Sequence, residues 1–322
     1  MIHGVWRVPF MEEKEKNEFV APAQFVGMVA EGKQAFGGSW TEKKLGVLRE
    51  YLCAYTKALK NQSFYKLYID AFAGTGYRET AQDDMSLFFD DDESNEIKDG
   101  SARHALRVAP SFDGYYFIEQ NGAKLDELKQ YASNITGALD KSDFRIGDAN
   151  THLPKVCDEI DWKRARAVLF LDPFGMCVKW STMEAIAKTQ AIDVWILFPA
   201  GVGVNRLLTK NPDSIPEQWA ARLDIIFGTS EWKKAFYHTQ TYSDLFGEEK
   251  QTTKVPDAIT TIVEFYQKRL KTIFPRVVEN PCYLCNSKQS PMFVLTFAIG
   301  SPNPKAQNIA LRIADSILKK WK

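Results

Sequence analysis

Two apolar segments, Ala165 to Leu171 and Ile192 to Phe198, constrain the fold more than any other feature of this sequence. Successive residues of a strand point to opposite faces. Here Ala167, Val168, Leu169, Phe170 and Leu171, and likewise Val194 to Phe198, are apolar at both odd and even positions. Strands of that kind must be covered on both faces, as happens in a parallel sheet flanked by helices. They are too short to cross a bilayer, which takes about 20 consecutive apolar residues, and no apolar run in the sequence approaches that length.

The surrounding segments alternate in the way such a sheet requires. Ser39-Trp40-Thr41 opens a helix whose Leu45, Leu48, Leu52 and Tyr55 recur at helical spacing through about Leu59. Lys66 to Phe72 reads as a strand ended by Ala73-Gly74-Thr75-Gly76. Further strands are expected at Tyr115 to Glu119 and Asp143 to Ile146, and helices at Ser101 to Val108, Asn121 to Ser133 and Ser181 to Thr189. Residues 1–38 form an N-terminal extension and 39–322 one domain. That domain is expected to carry an acidic loop at 80–100 and a helical insertion at 202–276 without strands. Helices are expected within the insertion at Pro216 to Phe227, Ser230 to Tyr237 and Asp257 to Ile273. Two late strands, Arg276 to Cys285 and Pro291 to Ile299, flank a hairpin loop at Asn286 to Ser290, and a last helix spans Ala306 to Lys320.

Composition excludes several classes. The 41 basic and 41 acidic residues give zero formal charge, unlike a protein that coats nucleic acid or anionic membrane. Met1 to Val20 lacks an apolar core and contains Glu12, Glu13, Glu15 and Glu18, so it does not read as a signal peptide. The five cysteines, an odd number, fit a reducing compartment, and a cytoplasmic location is expected. Cys282 and Cys285 are half of a zinc site with no second pair or nearby histidine. No metal is expected, and the two read as ordinary part-buried thiols on a strand. His3, His104, His152 and His238 are scattered and form no triad with a serine.

In open α/β sheets the ligand sits beyond the carboxyl ends of the strands. The strand ends here carry Asp70 with Gly74 and Gly76, then Glu119, Asp148 and Asp172. The glycine pair suits a tight strand-to-helix turn. The third glycine of dinucleotide binders is missing, which disfavours a nucleotide-binding oxidoreductase, and no phosphate-loop motif occurs. A turn with acids and no phosphate cradle suits S-adenosylmethionine (SAM), a cationic cofactor. The residues expected to bind it are Asp70, Ala71, Phe72, Ala73, Gly74, Gly76, Glu119, Gln120, Asp148 and Ala149. Glu119 would accept both ribose hydroxyls, and Asp148 the adenine amine. The fold class expected is α/β with a Rossmann-like class I methyltransferase sheet, mostly parallel, closed by a C-terminal antiparallel hairpin.

At the level of motifs the chain resembles the three-Cys-motif partner (TcmP) family. The matching stretches are Trp40-Thr41-Glu42-Lys43-Lys44-Leu45 with Leu48 and Tyr51-Leu52, Tyr68 to Gly76, Phe170-Leu171-Asp172-Pro173-Phe174-Gly175, Phe198-Pro199, Val204 to Leu208, Phe227-Gly228-Thr229 with Trp232, Asn286-Ser287, and Met292-Phe293 to Phe297-Ala298. The resemblance covers about 40–320. It implies a methyltransferase-like fold with a SAM site, and a radical-SAM three-Cys-motif protein as partner. It supplies no substrate. Cys282 and Cys285 flank a region that is usually aliphatic in the family, which is a departure from its pattern.

Asp172-Pro173-Phe174-Gly175 is similar to the turn by which nucleobase amino methyltransferases hold an amine, with one proline fewer. In that role Asp172 orients the amine, the Pro173 carbonyl accepts its hydrogen and Phe174 stacks the ring. The alternative is that Asp172 and Pro173 shape the turn and Phe174 packs inward. Asn205 and Arg206 should border the same cleft, with Arg206 facing a substrate anion or a structural carboxylate. Lys44 either reaches the amino-acid carboxylate of SAM or is solvated. Two readings remain open: a methyltransferase acting on an amino group of a nucleobase or related planar substrate, or a non-catalytic partner of the radical-SAM protein.

Overall fold

The computed structural model describes residues 39–75, 99–173, 175–244 and 247–321. The expected extension 1–38, the acidic loop as far as 98, Gly76 and Phe174 lie outside the described residues.

Helix α1 (Ser39–Ala58) leads into β1 (Tyr65–Asp70). Then come α2 (Ser101–Leu106), β2 (Gly114–Glu119), α3 (Gly122–Ser133), β3 (Ser142–Ile146), α4 (Ala149–Glu159), β4 (Ala165–Leu171), α5 (Trp180–Lys188) and β5 (Ile192–Phe198). A π turn at Ala200–Val204 runs into the single turn α6 (Asn205–Leu207). Next are α7 (Glu217–Phe227), α8 (Trp232–Phe236), β6 (Tyr237–Asp244), β7 (Gly247–Lys254) and α9 (Ala258–Leu270). The described chain closes with β8 (Arg276–Val277), β9 (Cys282–Cys285), β10 (Pro291–Ile299) and α10 (Pro304–Lys320).

The main sheet has the order β3-β2-β1-β4-β5-β10-β8, with β9 also paired to β10. Strands β1 to β5 are parallel, and β10 is antiparallel to β5, with Val294 opposite Phe198. The order reverses beside β1, where β2 lies on one side and β4 on the other. That is the switch point at which open α/β sheets open a ligand crevice.

The side-chain alternation of the strands explains the two cores. Leu67, Ile69, Leu169, Leu171, Val194 and Ile196 face α4, α5, α7, α8 and α9, while Tyr68, Val168, Phe170, Trp195 and Leu197 face α1, α2, α3 and α10. Caps fix where the helices begin. Asn121, Asp257 and Asn303 each accept a backbone N–H in the first turn of α3, α9 and α10. Helix α7 ends at Gly228, whose φ of +64° is left-handed. A Cβ there would stand 2.2 Å from a Trp180 ring atom, so only glycine fits.

Three features depart from the sequence expectations. The 202–276 insertion is mostly helical but contains the β6–β7 hairpin, paired from Tyr237–Lys254 to Asp244–Gly247. Its Thr239, Thr241, Thr252 and Thr253 favour extended backbone, but the segment lacks the apolar alternation that announces a strand. Helix α4 had no counterpart in the sequence reading, because Asn150, Thr151 and Pro154 are poor helix formers. Its stripe of Leu153, Val156 and Cys157 is nevertheless buried. The expected strand Arg276 to Cys285 is split into β8 and β9 before Pro281, which cannot donate to a ladder. Cys282 and Cys285 stay thiols three residues apart on β9, on opposite faces of the strand. No described helix is long and apolar enough to cross a membrane.

Candidate active site

The turn after β1 brings the expected glycine and the expected glutamate together. Gly74 has φ of +56°, the left-handed region a side chain disfavours. That conformation aims its N–H at Glu119, whose Oε2 accepts at 2.9 Å. The other oxygen, Oε1, accepts the Asn121 N–H at 2.9 Å. The backbone reinforces the arrangement, since Ala73 N–H donates to Ile118 O at 3.0 Å and Gly147 N–H to Glu119 O at 2.9 Å. The Glu119 carboxylate is therefore fixed by one N–H on each oxygen, at the ends of two adjacent parallel strands. Each oxygen keeps accepting capacity for a further donor.

Asp70 lies differently from the expectation that it faces the cofactor. It is fully buried beneath the turn. Tyr68 donates its hydroxyl to Oδ2 at 2.9 Å and Phe72 its N–H to Oδ1 at 3.3 Å. Burial pushes this carboxyl up to about 6, partly offset by hydrogen bonds from Ser101, Tyr68 and Phe72. Asp70 thus braces the turn from below. Ala71 and Ala73 are buried as well and present little but backbone.

At the end of β3, Asp148 caps the start of α4 and accepts from Asn150 Nδ2 and Thr151 Oγ1, each at 3.2 Å. Asn150 in turn donates to Cys177 O at 2.8 Å and accepts from the Lys179 N–H at 2.8 Å and Thr182 Oγ1 at 2.9 Å, stitching α4 to the segment after β4. Ala149 is buried, Gln120 is exposed, and Ile146 is 56% exposed at the β3 end.

Beyond β4, Asp172 forms an ion pair with Lys44 at 2.6 Å, their side chains 25% and 9% exposed. Lys44 is therefore neither solvated nor unengaged. Its ammonium also stands 5.1 Å from the Trp40 ring centroid, and Trp40 stacks on Phe293. Pro173 is buried. The π turn after β5 packs on the same segment, because a Cβ at Gly203 would stand 2.8 Å from Met176. Asn205 and Arg206 follow it, and the Asn205 Oδ1 is buried without a hydrogen-bond partner among the described residues. Lys254, at the end of β7, donates to the Asn205 and Leu208 carbonyls at 2.9 and 3.0 Å, so the hairpin base holds this turn.

Sequence reasoning did not find Ser101, the Asn121 N–H, Trp40 or Arg222. Arg222 of α7 donates from Nε to Met176 O at 3.4 Å. Only Asn121 had a local signal, as a cap residue two positions after Glu119.

Five parallel strands, a reversal beside β1 and an antiparallel β10 define an α/β protein of the class I methyltransferase type. No family model matches the chain, and no curated protein matches it. Solved structures similar to it include a Legionella pneumophila protein of the DUF519 family, 11% identical over 88% of this chain and 92% of that one, with a TM-score of 0.43. Spermidine synthase from Thermotoga maritima is 12% identical over 82% of this chain and 61% of that one, at 0.37. The glycopeptide N-methyltransferase MtfA complexed with sinefungin is 9% identical over 85% and 99%, at 0.31. At such scores the likenesses add nothing to the strand order, on which the fold class rests.

Proposed function

We propose that this chain binds SAM across the carboxyl ends of β1, β2 and β3 and transfers its methyl group to an amino group of a nucleobase or related planar substrate. The observation that supports this most is the Glu119 carboxylate, held by the Gly74 and Asn121 N–H groups with both oxygens able to accept again. A carboxylate so fixed is matched to the two adjacent hydroxyls of a ribose. The exposed Ile146 offers an apolar ledge for the adenine ring, and Asp148 an acceptor for its amine. Ala71, Ala73 and Ala149, buried and small, would let the ligand approach the backbone, with Phe72 and Gln120 bordering it.

SAM supplies an electrophilic methyl on a sulfonium, and the protein's part is to place a nucleophile in line with it. Lys44 engages Oδ2 of Asp172, which leaves Oδ1 to accept a hydrogen of the incoming amine and turn its lone pair toward the methyl. SAM would supply the methyl, its sulfur keeping the electron pair of the broken bond, and the proton lost by the amine would pass to Oδ1 of Asp172 and from there to solvent. Titration calorimetry with S-adenosylhomocysteine (SAH) tests the reading, and absence of binding at millimolar ligand refutes it.

The Lys44–Asp172 pair also favours a second reading. With its carboxylate already matched to a cation, the turn after β4 suits a scaffold that retains SAM and serves a radical-SAM three-Cys-motif protein, the partner implied by the TcmP resemblance. Labelled SAM incubated with pooled DNA, RNA and lysate protein separates the two. Transfer of label supports the enzyme; bound SAM without transfer supports the partner.

A further inference from the structure

We propose that Asn150, in the first turn of α4, is a positioning residue that ties adenine recognition at Asp148 to the turn after β4. The proposal rests on the cofactor reading above and adds to it how the two halves of the cleft communicate.

An asparagine amide has two N–H donors and two carbonyl lone pairs, and all four are used here. Nδ2 donates to Asp148 Oδ1 at 3.2 Å and to Cys177 O at 2.8 Å. Oδ1 accepts the Lys179 N–H at 2.8 Å and the Thr182 hydroxyl at 2.9 Å. The backbone fixes which way the amide points, since the Cys177 carbonyl can only accept and the Lys179 N–H can only donate. Near-isosteres fail: aspartate lacks the donors, leucine lacks both kinds of group, and glutamine is longer by a methylene.

The four partners belong to two separate parts of the chain. Asp148 follows β3 and is the acid offered to the adenine amine. Its other oxygen accepts from Thr151 Oγ1 at 3.2 Å, so the carboxylate is held on both oxygens and each retains accepting capacity. Cys177, Lys179 and Thr182 lie on the segment that starts at Asp172 and runs into α5. Lys179 precedes α5, and its side chain makes no capping bond, so Asn150 organises the start of that helix from another one. Thr182, in the first turn of α5, is buried.

An amine bonded to Asp148 holds the carboxylate still, the carboxylate holds Nδ2, and the planar amide passes the constraint to Lys179 and Thr182. Hydrogen bonds joined in this way strengthen one another. Seating adenine therefore firms 177–182, the far end of a turn whose near end is anchored by Lys44 on Asp172. The turn that would receive the methyl acceptor is thus set when the cofactor's base is in place.

The test uses the full chain with SAH and with S-inosylhomocysteine, which carries a 6-oxo group where SAH has its amine. Calorimetry measures both affinities, and hydrogen–deuterium exchange follows 177–182. Wild type should bind SAH roughly 10- to 150-fold more tightly than the analogue, and saturating SAH, but not saturating analogue, should slow exchange of 177–182. In Asn150→Ala the preference should fall to about threefold or less, and SAH should no longer slow exchange there. A change that only loosened the fold would weaken both ligands alike and keep their ratio. Thr182→Val leaves the Asp148 contact intact, so it should keep the preference and lose part of the slowing; it decides the question if Asn150→Ala does not fold. An unchanged preference or surviving SAH-dependent slowing in folded Asn150→Ala, or full slowing in Thr182→Val, overturns the proposal. Wild type that binds SAH without preferring it to the analogue also overturns the proposal and leaves the cofactor reading standing, whereas wild type that binds neither ligand removes both.

Discussion

Replacing Glu119 by glutamine is the sharpest test of the cofactor site, because the structure specifies what each oxygen does. Oε2 accepts from Gly74 and Oε1 from Asn121, both at 2.9 Å from backbone N–H groups. A glutamine has one acceptor oxygen and one NH2. Whichever way the amide turns, its NH2 faces a backbone N–H, donor against donor, and one ribose hydroxyl loses its acceptor. A hydrogen bond to a charged group contributes about 1.5–3 kcal/mol. Losing one to the ligand corresponds to roughly 10- to 150-fold weaker SAH binding. The orphaned N–H adds about 1 kcal/mol or more of lost stability, so the melting temperature should fall as well. Calorimetry with SAH and a thermal melt on the same preparation measure both. A folded Glu119→Gln protein that binds SAH within twofold of wild type would refute the reasoning, since no amide orientation satisfies both N–H groups and both hydroxyls.

Gly74→Val forces a β-branched residue into φ of +56°, and the turn should reorganise. SAH binding should disappear while the far-ultraviolet circular dichroism stays nearly unchanged. Asp172→Asn should leave SAH affinity within a few-fold and, if the chain is an enzyme, lower turnover of labelled SAM by about 10²–10⁴; equal label transfer by both proteins would exclude Asp172 from the chemistry. Asp172→Asn also strands the Lys44 ammonium, so Lys44→Met in the same chain should recover part of any lost stability, read by urea midpoint. Asp193 is buried and accepts from Tyr51 and the Gly300 N–H, and burial pushes it up to about 7. An acid raised in the folded state binds its proton more tightly there than in the unfolded chain. Stability from this group is therefore fully present below pH ~4 and is lost as pH rises to about 7, by ~4 kcal/mol in all. Asp193→Asn, which mimics the protonated acid, should be more stable than wild type at pH 8 and level with it near pH 4. An equal offset at both pH values would contradict the assignment.

Much of the fold was legible because burial leaves a period in the sequence. The bounds of β4 and β5 follow from runs that are apolar on both faces, and α1 from Leu45, Leu48 and Leu52. The β6–β7 hairpin and α4 were not legible, since a polar ribbon and a helix with Asn150, Thr151 and Pro154 near its start carry weak local signals. At the candidate site, Glu119 and Gly74 could be nominated from strand ends, but not the hydrogen bond between them. The Lys44–Asp172 pair spans 128 positions, and nothing in either local sequence announces it. Asp70 shows the opposite failure. A strand-end acid was expected to face the ligand, and the register instead turns it inward with Tyr68, on the side covered by α1 and α2.

The place of β10 in the sheet has a consequence for synthesis of the chain. It lies between β5 and the short strands β8 and β9, so the long flank of β5 is completed only by residues made almost a hundred positions later, Val294 against Phe198. Until the ribosome has released that strand, Trp195 and Leu197 belong to an open sheet edge with an apolar face, the kind of surface that recruits chaperones or self-associates. Pairings this distant in sequence also slow folding. The nascent protein should therefore become protease-resistant late and in one step, after 299 clears the exit tunnel, rather than strand by strand as β1 to β5 emerge.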